Sequence, residues 1–414
     1  MSGTRLGVTS LKGFRAGGVS CGVKRSGRPD LSIVLTDLDA TAAGVFTTNQ
    51  CKAAPVLLGA ERLQRAATGV RGILTVSGVA NALTGAEGLS DNRQILSAAE
   101  ETFGLPPESL LPACTGVIGP RIPVPLVRAG LPPLRAATSG DAEGGDRAAN
   151  AILTTDTCPK QAAVRARLAD GRVIHVGGMA KGSGMIAPRL APLHATTLAF
   201  LTTDAPVPPA ALERLLVAES DRTLNMVCVD GDTSTNDTIY LLANGAVGGP
   251  SAEGDPALQR AVGEVLERLS RAIARDGEGA TKLLTVHVEG ARTVPEARAA
   301  ARSVVGSTLV KAAVFGADPN VGRIACAVGY SGAHVDPDQI DVALCSAGRR
   351  VPLIVDGRPA PGLDNGGGQR VRQLLRQMEE VPLSIQLHQG GARATAWGCD
   401  LSYAYVQINA QYRT

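Results

Sequence analysis

GGMAKGSGMIAPRLAPLHATTLAFLTTDA, residues 177–205, joins two different kinds of chain. Its first part sets one cation, Lys181, among Gly, Ala and Ser; its last part, from Thr197 onward, is an apolar run with strand character. Small residues around Lys181 leave a flexible backbone, so a ligand can approach the ammonium group closely. Ala195 and Thr196 stand at the entry to the apolar run. The residues by themselves support two readings. In one, a Gly-rich loop simply leads into a buried strand. In the other, the chain cuts itself between Ala195 and Thr196. The Thr196 hydroxyl attacks the carbonyl before it, the amide becomes an ester, and water releases a new N-terminus. The freed α-amine, with a reference pKa of about 8, then serves as the nucleophile's own base.

On the N-terminal side, residues 33–35 and 44–48 read as short strands and 72–76 (GILTV) as a stronger one. Ser90-Asp91-Asn92 opens a helix with Ile95, Leu96, Ala99 and Phe103 on one face, stopped by Gly104 and Pro106. Residues 130–145, rich in Pro, Gly and small side chains, read as a surface loop before a helix over 146–153. On the C-terminal side, 209–218 reads as a helix and 256–275 is the clearest helix of the chain. Asp255 caps it, Pro256 takes the first turn, and Leu258, Val262, Val265 and Leu269 share a stripe. Alternation predicts strands over 282–288 and 402–409, with helices over 304–313 and 365–378. Segments 340–344 and 352–355 flank Gly348 as in a hairpin, and 384–388 and 392–397 flank Gly390-Gly391 in the same way. Helices and strands mix without a regular βα repeat, which places the chain in the α+β class, a layered sandwich of mixed sheets and helices.

Composition narrows the function. The chain has 414 residues, 44% hydrophobic and 19% charged, so it can bury an ample core. Aromatics are only 3%, which leaves that core to Ala, Val, Leu and Ile. The net charge is +3, and no cluster of Lys and Arg alternates with aromatics, so a nucleic-acid partner has no support. No apolar run approaches the ~18 residues of a membrane span, and the first 25 residues lack the apolar stretch of a signal peptide. The cytoplasm is the default location, with no membrane partner. Eight dispersed cysteines, without a CxxC pair, read as reduced and mostly buried thiols; the five histidines show no zinc spacing, so no metal is expected.

Three further segments carry chemistry. In CTGVIG (114–119), a Thr-Gly turn offers a hydroxyl and a bare backbone N–H to a developing oxyanion, or is an ordinary tight turn. In DGEGATK (276–282), Glu278 sits between two glycines after the long helix, placed either to hold an ammonium group or as a solvated helix-end residue. DGDTSTNDT (230–238) reads as a polar turn whose side chains satisfy its own backbone, in preference to a cation site.

Together these segments resemble the ornithine acetyltransferase family of arginine biosynthesis, also called bifunctional glutamate N-acetyltransferases. The matching stretches are CTGVIG (114–119), AILTTDTCPK (151–160), GGMAKGSGMIAP (177–188), ATTLAFLTTDA (195–205), DGDTSTNDT (230–238), DGEGATK (276–282), GADPNVGRIACAVGYSG (316–332) and GCDLSYAYVQINAQYRT (398–414). Each alone is weak; eight in family order are specific. The resemblance implies Thr196 as nucleophile, exposed by cleavage after Ala195, with Thr115 and Gly116 forming the oxyanion hole. It implies a substrate pocket lined by Thr154, Lys181, Thr196, Glu278, Asn409 and Thr414. The chain would divide into an α-chain, 1–195, with the oxyanion hole and the Lys181 loop, and a β-chain, 196–414, with the nucleophile and the pocket. Two of each would assemble. The expected reaction is ping-pong acetyl transfer from N-acetylornithine to glutamate without a cofactor, with acetyl-CoA as a further donor in bifunctional members.

Three departures stand out. RLAPLH between Pro188 and Ala195 is four residues longer than the family's usual link, Val321 stands where Trp is usual, and 76–81 (VSGVAN) keeps one of the typical Asn residues. Two other functions stay open on the sequence: a self-processed amidase or aminopeptidase in which water is the acceptor, and an uncut relative without catalysis.

Overall fold

The computed structural model describes residues 7–187, 190–191, 197–346 and 348–411. Through the first part of the chain come β1 (Phe14–Val19), β2 (Leu31–Thr47), α1 (Ala54–Arg65), β3 (Val70–Val79), α2 (Gly85–Phe103), β4 (Leu110–Val117), α3 (Val124–Ala137), α4 (Ala142–Ala151), β5 (Lys160–Arg167), β6 (Val173–Lys181), β7 (Leu190–Ala191) and β8 (Leu198–Thr203). They are followed by α5 (Pro209–Arg222), β9 (Val227–Cys228), β10 (Thr238–Ala243), α6 (Pro256–Arg275), β11 (Leu283–Ala291), α7 (Val294–Gly306), α8 (Thr308–Phe315) and α9 (Val321–Gly329). The chain continues through β12 (Asp341–Ser346), β13 (Arg349–Val355), β14 (Arg358–Pro359), α10 (Gly368–Gln377), β15 (Glu380–Gln386), β16 (Ala392–Cys399) and α11 (Tyr403–Ala410). Mixed sheets with helices packed on them make this an α+β fold, as the sequence predicts.

The chain forms two compact units. The first takes the described residues of Met1–Asn225 and Asp232–Leu269, the second those of Met226–Gly231 and Ser270–Tyr412. The first therefore draws on both sides of the Ala195–Thr196 bond. Its sheet runs β4-β3-β2-β10-β8-β6-β5, with β1 and β7 also pairing with β2. β2 is one continuous strand where the sequence suggested two. Its early residues pair with β1 and β3, its later residues with β10, and the exposed stretch 37–39 lies between. Three of the few aromatics meet here: Tyr240 meets Phe46 edge-on and stacks with Phe200, and its hydroxyl donates to the Pro112 carbonyl at 3.0 Å. The second unit's sheet runs β14-β13-β12-β15-β11-β16-β9.

Several expectations change. Residues 130–145 are largely helical. α3 runs through Pro132 and Pro133 and buries Val127, Leu131 and Leu134, and Asp141 caps α4 by accepting from the Gly144 N–H at 2.8 Å. Burial of that apolar stripe outweighs the two prolines. The helix expected over 304–313 breaks at Ser307, whose hydroxyl caps α8. β15 and β16 are not a hairpin, because β11 lies between them, parallel to β15 and antiparallel to β16. Residues 402–409 form α11 and not a strand. Ser402 donates to the Gly279 carbonyl at 2.6 Å and Asn409 to Glu278, so contacts from a distant loop select the helix. The Gly348 hairpin and α6 match the sequence reading, and Asp255 accepts from the Ala257 N–H at 2.8 Å. Among the described residues, no helix is long and apolar enough to cross a membrane.

Candidate active site

In the first unit, the ends of four strands carry the polar groups. β8 begins one residue after Thr197, whose carbonyl accepts from the Thr238 N–H at 2.9 Å as β10 starts alongside. On its other flank, Leu198 pairs with Lys181, the last residue of β6. Thr197 is buried, and its hydroxyl oxygen has no partner among the described residues.

Thr115 and Gly116, both half-buried, lie just before Val117, the last residue of β4. Gly116 has φ +134°, and a Cβ placed on it would stand 2.2 Å from the Gly78 carbonyl carbon on β3, so only glycine fits. The register slips here, with Val79 opposite both Thr115 and Val117. Such an irregularity disrupts the ladder locally, while the Val117 carbonyl still accepts from the Ala80 N–H at 2.9 Å. Asn236 holds the strand from the other side. Its amide nitrogen donates to the Cys114 carbonyl at 3.0 Å and the Ala80 carbonyl at 2.5 Å, while its amide oxygen accepts from Thr235. Within 230–238, Ser234 accepts from the Asn236 N–H at 3.1 Å and Thr238 donates to the Asn236 carbonyl at 2.9 Å, so side chains satisfy local backbone, as the sequence reading preferred. The segment also reaches further: Thr47 donates to the Ser234 carbonyl, Asn49 to the Thr233 carbonyl and Thr233 to the Ala187 carbonyl.

Asp156 organises the cationic side. It lies two residues past Thr154 and accepts from the Thr154 N–H at 3.1 Å, the Gly182 N–H at 2.7 Å and Lys160 Nζ at 2.7 Å; Lys181 Nζ stands 3.8 Å away. Thr154 and Lys181 are thus brought to one carboxylate. Burial alone would raise the Asp156 carboxyl, but the Lys181 and Lys160 charges and these bonds hold it well below the usual range. Asp237, facing the same region from β10's entry, behaves oppositely. Burial drives its carboxyl well above the usual range, against weaker pulls from Thr47 and the Lys181 charge, and its Oδ2 has no partner among the described residues. Lys24 is also pulled in: its ammonium donates to the Pro29 and Leu153 carbonyls, both at 2.6 Å.

In the second unit, Asn409 donates to Glu278 at 2.8 Å, so these two pocket candidates are brought together; Glu278 is buried. Ala195, Thr196 and Thr414 lie outside the described residues, as does His194. The extended link contributes one described piece, β7, which pairs with Phe46 and Thr47 of β2. Sequence reasoning read Asn236, Asp237 and Asp156 only as members of motifs, and gave none of them, nor Lys24, a role of its own. A signal existed for the 236–237 pair, since two polar residues stand directly before the apolar strand 238–243. Among the described residues, no cluster of His, Cys, Asp and Glu is arranged to hold a metal ion.

Chemically, this arrangement offers a threonine beside a position that only glycine fits, a cation for a carboxylate, and a strand that starts directly after Thr197. The ArgJ family model matches residues 15–414. The arginine biosynthesis bifunctional protein ArgJ of Symbiobacterium thermophilum is 46% identical over 415 residues, covering 99% of this chain and 98% of that protein. Its counterpart from Synechocystis sp. is 44% identical, covering 98% of each. Among solved structures, ornithine acetyltransferase complexed with ornithine from Mycobacterium tuberculosis is 42% identical over 45% of this chain and 96% of that one, with a TM-score of 0.42.

Proposed function

The chain belongs to the ArgJ family, and from that membership we propose that it moves the acetyl group of N-acetylornithine to glutamate in arginine biosynthesis. The observation that carries this reading is a convergence within one unit. The Lys181 end of β6 and the entry to β10 flank the start of β8, which begins two residues after Thr196 in the chain, and Asn236 at that entry ties in the Cys114 carbonyl of β4.

Thr196 acts as the nucleophile once the bond after Ala195 has opened, with its own α-amine as base. It attacks the acetyl carbonyl of N-acetylornithine. The Thr115 hydroxyl and the Gly116 N–H stabilise the oxyanion, the C–N bond breaks, and ornithine leaves with the proton from the threonine hydroxyl. The glutamate amine then attacks the acetyl ester and regenerates Thr196. Lys181 pairs with the substrate α-carboxylate, and Glu278 with Asn409 and Thr414 completes the pocket for the ornithine ammonium. Acetyl-CoA serves as a second donor, the working form is two α- and two β-chains, and the location is cytoplasmic.

Purified protein incubated with N-acetylornithine and glutamate should yield ornithine and N-acetylglutamate, and acetyl-CoA with glutamate should yield N-acetylglutamate. A denaturing gel should show two bands of similar size, the second beginning Thr-Thr-Leu-Ala. Thr196→Ala should stay uncut and inactive. Active protein found intact through position 196 would remove the proposed catalyst.

A further inference from the structure

The segment 21–30 (CGVKRSGRPD) lies in none of the motifs that carried the functional reading, yet it borders the same polar region. A Cβ on Gly78 would stand 3.0 Å from Lys24 Cγ, so the Lys24 stem runs past Gly78, and Gly78 is the β3 partner of Gly116. The ammonium beyond it reaches the Leu153 carbonyl at 2.6 Å. Four residues further on, Arg28 donates from Nη1 to the Thr154 carbonyl at 3.3 Å. Two cations therefore cap the consecutive peptides that lead to Asp156, on which Lys181 rests.

The two cations differ in what they can still bind. Lys24 is buried, and its ammonium is already used by two carbonyls. Burial first, then the like charges of Arg28 and Lys181, brings it down to about 8 despite Asp30 and Asp156. Arg28 is exposed, and among the described residues it makes no ion pair. Most of its planar donor fork is left for a solute, and a guanidinium matches a carboxylate with two parallel hydrogen bonds.

The proposed reaction needs such a group. The departing amino acid carries a side-chain ammonium and the arriving one a side-chain carboxylate. A pocket carboxylate suited to the first repels the second, so the acceptor needs a cation of its own. We propose that Arg28 is the specificity residue that receives the side-chain carboxylate of the acceptor, an acidic amino acid, while Lys24 holds the Leu153–Thr154 backbone against which Arg28 is set. This rests on the transferase reading above.

The test uses the full-length processed protein with Arg28→Gln and Arg28→Lys. Ornithine release from N-acetylornithine is followed separately from acetyl transfer to glutamate and, as a neutral analogue, to glutamine. In Arg28→Gln, KM for glutamate should rise about 10- to 100-fold, the scale of a lost charge-assisted hydrogen bond. KM for N-acetylornithine should hold, and the preference for glutamate over glutamine should fall by a similar factor. Arg28→Lys should recover part of it. Equal changes for both substrates, or no change in the glutamate-to-glutamine preference, would overturn the assignment. Wild-type protein that releases no ornithine from N-acetylornithine would overturn the transferase reading and this proposal with it.

Discussion

Asn236 donates to the carbonyl of Cys114 at 3.0 Å across 122 residues of chain. Because Cys114 directly precedes Thr115 and Gly116, this amide fixes the strand end on which the proposed oxyanion hole depends. Asn236→Ala leaves two buried carbonyls without their donor, which should cost about 1–3 kcal/mol in unfolding free energy. The strand end would also shift, and turnover should fall about 100-fold, since misplacement on the ångström scale is enough for that. Urea unfolding and steady-state kinetics separate the two effects; an unchanged kcat would show that the strand end holds itself.

Gly116→Ala combines a strained φ with a methyl 2.2 Å from the Gly78 backbone. Thermal unfolding should report a loss of about 2–6 kcal/mol. Gly119 has φ +111° with open space around it. Gly119→Ala should therefore lose only the strain, about 1–3 kcal/mol. Equal losses in the two variants would contradict the crowding argument.

Asp156→Asn removes the carboxylate that compensates buried Lys160 and the nearby Lys181. Breaking a buried pair from one side should cost about 3–5 kcal/mol at neutral pH. The folded-state pKa of Asp156 lies below its ordinary value of 3.8, so its contribution is present above 3.8 and disappears as pH falls towards the folded-state value. Wild-type stability should decline through that acid range, while the variant's profile there is flatter. A stability difference that stays constant down to strong acid would rule out this electrostatic account.

Asp237 should show the opposite sign. Its folded-state pKa is raised above 3.8, so the folded state retains a proton that the unfolded chain releases, and its contribution to stability falls as pH rises past 3.8. Asp237→Asn mimics the protonated form. It should match or exceed wild-type stability at neutral pH, with the two curves converging in acid below about 4. Wild type more stable than the variant at neutral pH would mean that Asp237 is ionised and paired.

Local signals were legible wherever one element closes on itself. α6 follows from its stripe and its Asp255 cap, and the Gly348 hairpin from its turn residue. Signals failed where a distant partner decides. Nothing local to 402–409 says that Gly279 and Glu278 will anchor a helix there, and the Gly390-Gly391 turn gives no sign that β11 will lie between its flanking strands. Pro132 and Pro133 mislead because their local cost is outweighed by burial of Leu131 and Leu134.

Read without coordinates, the chain already declared its family, its mixed α+β class, and the residue types that bear the chemistry: a hydroxyl, an ammonium, and a glycine beside a threonine. Those depend on composition and order along the chain. Only the folded molecule decided that Asp156 joins Thr154 to Lys181, that Asn236 steadies the end of β4, and that Lys24 and Arg28 border the same region. Burial, charge balance and hydrogen bonding act through space, between residues whose separation in sequence carries no trace of the contact.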